Sequence, residues 1–183
     1  MDNLMTNFYL DIETTGLNPI KDKIITIQYQ ELDRTTGEPI SELKILREWE
    51  SSEKEIIEKF LINTKIKSDY LFDFIPVGYN LGFVNNFLKS RMVFNNLKPI
   101  SILGRPFIDL RAIGILMNKG EFKGSGIDHL TKKLKLSDNV PFWYENKEYE
   151  KIIFHVKNKT KEFIEFNSWL YKKLPLLLKE FNN

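Results

Sequence analysis

Asp11 and Glu13 are the residues whose types and spacing carry the clearest chemistry. They close an apolar run, Phe8-Tyr9-Leu10-Asp11-Ile12-Glu13, that reads as a β-strand. Residues two apart on a strand face the same side, so both carboxylates project together at the strand's end, where a loop begins. Two carboxylates a few ångströms apart repel each other unless a cation or a proton sits between them. The plain alternative is a solvated acidic pair. The rest of the composition narrows which cation is meant. The 183-residue chain has no cysteine and only two histidines, His129 and His155. A thiolate site, a disulfide framework and a histidine-built zinc site are thereby excluded, and oxygen ligands favour Mg²⁺ or Mn²⁺.

The longer string Phe8 to Leu17, ending in Asp11-Ile12-Glu13-Thr14-Thr15-Gly16-Leu17, resembles the first motif of the DEDD (DnaQ-like) 3′–5′ exonucleases of the RNase H-like superfamily. The resemblance implies that Asp11 and Glu13 ligate divalent metals that activate water and clamp the scissile phosphate. It also implies that Thr14, Thr15, Gly16 and Leu17 border the substrate. A second stretch, Val77-Gly78-Tyr79-Asn80-Leu81-Gly82-Phe83-Val84-Asn85-Asn86-Phe87-Leu88, is similar to the family's second motif. Tyr79, Asn80 and Phe83 are then substrate contacts, although Asn80 serves equally as a helix cap. The family's aspartate position is occupied by Val84, which has no lone pair to offer a metal. Asn85 and Asn86 point in different helical directions, about 100° apart.

The third motif is similar to Val140-Pro141-Phe142-Trp143-Tyr144 followed by Glu148 to Lys159. In the tyrosine-type register His155 takes the general-base position and Lys159 that of the last metal-binding aspartate. The histidine-type register puts Thr160 there, so neither supplies a carboxylate. Four residues apart on a helix, His155 and Lys159 share a face turned toward Asp11 and Glu13. One reading sets the Lys159 ammonium between the two acids in place of a metal's charge. Such a contact is worth about 4 kcal/mol before desolvation at an effective dielectric near 20. The other reading sends Lys159 out to solvent. Glu150 and Glu162 lie about one helical turn, or ~5 Å, from the places a replacement ligand needs. Asp109 and Asp128 read as capping or loop residues.

The elements that must hold these groups follow from periodicity. Phe8–Ile12, Ile24–Glu31 and Leu43–Trp49 read as consecutive strands, and 52–62 as a helix capped by Ser52. A strand near Phe74 to Asn80 leads into a helix over 81–92, and a strand over 106–110 into a helix ending at Met117. A helix over 127–134 and a long one over about 148–181, with a kink or restart at Pro175, complete the chain. The expected class is α/β: an RNase H-like mixed central sheet flanked by helices. Its sheet joins a three-strand antiparallel meander to parallel βαβ strands, in one domain over 1–183 with a helical C-terminal segment.

Partner expectations follow from charge. The net charge of +2 permits nucleic-acid binding without demanding it. Lys89, Arg91, Lys119, Lys123, Lys132, Lys133 and Lys135 offer cations, and Tyr79, Phe83 and Trp143 offer rings for base stacking. The N-terminus lacks the pattern of a secretion signal and no apolar run spans a membrane, so a cytoplasmic location is expected. Three functions compete. The first is a nucleic-acid-binding domain of exonuclease type, recognising single strands or 3′ ends with little or no hydrolysis. The second is a working Mg²⁺- or Mn²⁺-dependent exonuclease on DNA or RNA with non-standard ligands, using His155 as a catalytic group. The third is a scaffold or oligomerisation module, for which the apolar residues Ile164, Phe166, Trp169, Leu170, Leu174, Leu176, Leu177, Leu178 and Phe181 supply a face.

Overall fold

The computed structural model describes residues 5–131 and 139–182. Five strands, β1 (Asn7–Thr14), β2 (Ile24–Leu32), β3 (Lys44–Arg47), β4 (Ile75–Gly78) and β5 (Ile108–Asp109), form one sheet in the order β3-β2-β1-β4-β5. The first three run antiparallel as a meander, and β4 and β5 are added parallel to β1. This is the mixed α/β sheet the residue pattern implies. β5 is only two residues long, and β3 stops at Arg47 because Glu48–Glu50 turn into a 3₁₀ segment.

Alternation along β1 separates two cores. Phe8, Leu10 and Ile12 point into a cluster with α1 (Glu53–Asn63) and α2 (Leu81–Phe94), through Ile57, Phe60, Leu81, Val84 and Leu88. Tyr9 points the other way, onto Phe163, Phe166 and Leu170 of the last helix, α6 (Tyr149–Phe181). Asp11 and Glu13 share that second face with Tyr9, so α6 lies over them. Three shorter helices, α3 (Leu110–Met117), α4 (Ile127–Thr131) and α5 (Val140–Glu145), fill the space at that end. The C-terminal part of the expected 127–134 helix lies outside the described residues, as do Lys132, Lys133 and Lys135.

Local chemistry fixes the element ends. Ser52 caps α1 by accepting the Glu55 N–H at 3.2 Å. Asp109 caps two helices at once: its carboxylate accepts from the backbone N–H groups of Asn80 and Leu81 (2.9 and 2.8 Å) at the start of α2, and of Arg111 (3.0 Å) in α3. Asn80 takes a left-handed conformation (φ 67°), and its side chain makes no cap bond. α6 runs on through Pro175 without a restart. At 33 residues it is about 50 Å long. Its first two-thirds pack on the sheet, and Asn167 and Ser168 donate to the Gly37 carbonyl in the β2–β3 turn. Gly37 has φ 69°, and a Cβ there would meet the Asn167 amide at 2.5 Å. The final turns leave the body, and Leu174, Leu176, Leu177, Leu178 and Phe181 are exposed. No helix among the described residues is long and apolar enough to cross a membrane.

Candidate active site

Lys159 sits between the two carboxylates. Its Nζ lies 2.9 Å from Asp11 Oδ2 and 2.9 Å from Glu13 Oε1, donating a hydrogen bond to the latter. The strand supplies the acids and α6 the cation, and the geometry follows from the two periodicities meeting. Positions 155 and 159 stack on one helix face, and 11 and 13 on one sheet face. His155 is buried, with Nε2 3.8 Å from Glu13 Oε1, and Trp143 of α5 stands edge-on to the imidazole at 5.9 Å.

The protonation of the cluster follows from its surroundings. Burial works against the Lys159 charge, but Asp11 and Glu13 outweigh it and hold the ammonium well above the usual lysine range. Burial pushes the Glu13 carboxyl up, Lys159 pulls it down, and repulsion from Asp11 adds to the rise, leaving it above the usual glutamate value. The Tyr9 phenol beneath them is raised well above its usual range, first by burial and then by Asp11. Its hydroxyl accepts from Thr160 Oγ1 at 3.3 Å.

These groups form one wall of a cleft of about 630 Å³. Thr14, Gly16, Leu17, Tyr79, Asn80 and Phe83 line it with Asp11, Glu13 and Lys159. Most of the expected substrate-binding set therefore converges. Thr15 does not: its hydroxyl accepts from the Lys23 N–H at 3.0 Å and closes the β1–β2 loop. A Cβ at Gly16 would run into the Asp22 carboxylate and displace it from the Asn18 N–H it accepts. The Tyr79 hydroxyl donates to the Ser125 carbonyl, and burial pushes its phenol up to about 12.

Several expected residues lie elsewhere. Val84 is 1% exposed, packed in the α1–α2 core and outside the cleft lining, so a ligand at that position would have to come out of an apolar interior. Asn85 is tied to Ser101 Oγ and the Ile102 N–H, both at 3.0 Å. Arg91, expected as a surface cation, is 4% exposed and bound bidentately to Glu53 at 2.7 and 2.8 Å. Its place on the inner face of α2 explains the difference. Lys89, Lys119 and Lys123 are exposed, and Trp143 is partly buried against α6 rather than presented to the cleft. Glu150 is exposed, and neither it nor Glu162 lines the cleft.

Among the cleft residues that reading the sequence did not single out, two carry chemistry suited to a ligand. Arg111 lines the cleft from the first turn of α3, and Phe122, 68% exposed, stands on its rim. A cation two places after a capping Asp109, at a helix start beside the second motif, was the available signal for Arg111. Phe122, in a glycine-flanked loop, carried none.

A pair of divalent ions would make a stringent demand on this donor set. Two ions 3.5–4 Å apart need a full shell of oxygen donors. Here two carboxylates already share one ammonium, and its charge repels a metal from the same place. Among the described residues no group of three or more His, Cys, Asp or Glu is arranged to hold a metal ion. The residues do not fit the group.

Residues 8–141 match the RNase H superfamily family description, which covers well over half of the chain. The chain belongs to the RNase H superfamily. The family B DNA polymerase from the archaeon Pyrobaculum calidifontis superposes with a TM-score of 0.66 at 16% identity, over 95% of this chain and 25% of that one. E. coli exonuclease I in complex with a dT13 oligonucleotide gives a TM-score of 0.63 at 14% identity, over 97% of this chain and 43% of that one. Both show a shared RNase H-like fold. An uncharacterised protein of Methanocaldococcus jannaschii is 31% identical over 96 residues, 51% of this chain and 46% of that protein. The chain thus spans less than half the length of each of these relatives.

Proposed function

We propose that this RNase H-like domain binds single-stranded nucleic acid or its 3′ end and hydrolyses it very slowly or not at all. The observation that carries the reading is the Lys159 ammonium, 2.9 Å from each carboxylate of the pair that would hold metal. The cation supplies the charge that keeps Asp11 and Glu13 together, so the fold retains the acids without needing a divalent ion. The cleft beside them keeps rings (Tyr79, Phe83, Phe122) and a second cation (Arg111), the ingredients of strand binding. The fold neighbour crystallised with dT13 lends support on the substrate class.

Calorimetric titration with Mg²⁺ and Mn²⁺, beside an assay on a labelled oligonucleotide, tests it. No metal binding and no nucleotide release are expected. Tight Mn²⁺ binding with nucleotide release, both abolished by Asp11→Ala, would instead establish a working exonuclease with Asp11 and Glu13 as ligands and His155 as its partner.

A scaffolding role has one observation of its own. Leu174, Leu177, Leu178 and Phe181, at spacing i, i+3, i+4 and i+7, form an exposed apolar stripe where α6 leaves the body.

A further inference from the structure

The two cations of the cleft differ in their commitments. Lys159 is shared between Asp11 and Glu13, and its charge is spent inside the protein. Arg111 projects into the same cleft, and among the described residues its guanidinium makes no ion pair and no side-chain hydrogen bond. Its backbone N–H is held by Asp109, which fixes the root of the side chain. That same carboxylate takes the N–H groups opening α2, so the backbone amides at this corner are satisfied and the anion-seeking group left over is the guanidinium. Tyr79, Phe83 and Phe122 line the same cleft with rings.

An uncommitted guanidinium in a partly apolar cleft, beside acids partly neutralised from within, is suited to a phosphodiester. Arginine offers a planar fork of donors that matches phosphate oxygens. The internal ammonium lowers the other obstacle. An unpaired Asp11 and Glu13 would repel an incoming phosphate unless a divalent ion screened them, whereas the shared ammonium cancels one of the two charges and halves that repulsion. Resting on the nucleic-acid-binding reading above, we propose that Arg111 is the phosphate anchor of the cleft. It holds a single strand without help from a divalent ion.

Fluorescence anisotropy with a labelled oligothymidylate and its ribose counterpart, an oligouridylate, reads this directly, in EDTA and in Mg²⁺, across a salt series. Wild type is expected to bind equally in both buffers. Arg111→Ala should weaken binding about tenfold, the scale of one charge-assisted contact. It should also flatten the slope of log K against log salt by about 0.7, the value of one single-strand phosphate. Arg111→Lys should keep the slope. Unchanged affinity and slope in Arg111→Ala, with wild type still binding, overturns the anchor and leaves the nucleic-acid reading standing. Wild-type binding that appears only with Mg²⁺ overturns the metal-free mode. Absence of binding by wild type at low salt in either buffer overturns the nucleic-acid reading itself.

Discussion

Two ion clusters flank the sheet of this domain, and they are built to different ends. Between α1 and α2, Glu53 and Arg91 form a one-to-one fork, with side chains 7% and 5% exposed. The remaining capacity of the carboxylate is taken by the Ile24 N–H at 2.7 Å and the Asn95 amide at 2.9 Å. Between β1 and α6, one ammonium serves two carboxylates, and the Lys159 side chain keeps 41% of its surface exposed. The first cluster is saturated and closed. The second is under-supplied with cations and open to the cleft. Charges in a protein interior are tolerated when every donor and acceptor is matched. A mismatch at a cleft wall therefore points to inherited or working chemistry rather than to support.

Breaking the closed cluster should have the largest effect. Arg91→Leu leaves Glu53 buried without its cation and should cost about 3–5 kcal/mol in urea unfolding. A loss below ~1 kcal/mol would mean that the two clusters are not as unlike as their geometry suggests.

Lys159→Met should cost less, about 1 kcal/mol after allowing for the exposure of its side chain, and less again at high salt. Its signature lies in pH. The folded protein holds the Lys159 proton more tightly than the unfolded chain does. This contribution is therefore complete below the ordinary lysine value of 10.5 and is lost as pH rises through the higher folded value. The Glu13 carboxyl is also raised, so stability falls as pH climbs from the ordinary glutamate value of 4.5 through the folded one, then levels. Thermal melts across pH should show both declines in wild type. In Lys159→Met the alkaline decline should shrink and the acidic one extend to higher pH. Identical profiles for the two proteins would show the ammonium to be dispensable to the acids.

The smallest effect on stability belongs to the exposed end of α6. Leu177→Asp with Leu178→Asp should change the melting free energy by less than ~0.5 kcal/mol, as exposed substitutions do. Sedimentation tests the scaffolding reading on the same variant. A concentration-dependent assembly present in wild type and absent in the variant would give α6 a second role besides carrying Lys159 to Asp11 and Glu13.

Much of this arrangement was legible in the residues. The strand alternation of Tyr9, Asp11 and Glu13 and the four-residue spacing of His155 and Lys159 are both short-range patterns, and each dictates a face. The α/β class followed from the order of strands and helices, and the family match agrees with it. What periodicity could not supply was which way a helix turns its polar residues. Arg91 looks like any surface cation until α1 brings Glu53 against it, 38 positions earlier in the chain. Val84 occupies a position aligned with a ligand, yet the packing of α2 with Ile12 of β1 and Ile57 and Phe60 of α1 gives it to the core. α5 carries a weak signal of its own, six residues dominated by aromatic rings with a proline in the first turn. Pro175 implies a kink or a restart, but the helix continues through it, since an exposed helical end tolerates the lost backbone bond.

The double cap at Asp109 has a consequence for kinetics. A single carboxylate ties the starts of α2 and α3, which carry Phe83 and Arg111 to the cleft, so the jaws of the groove share one hinge pin and cannot swing apart independently. A strand entering such a groove meets a rigid gauge of fixed width. On the proposed nucleic-acid reading, its arrival rate is expected to be set by collision and charge and its residence time by the contacts inside, a single-phase association that stopped-flow mixing would read.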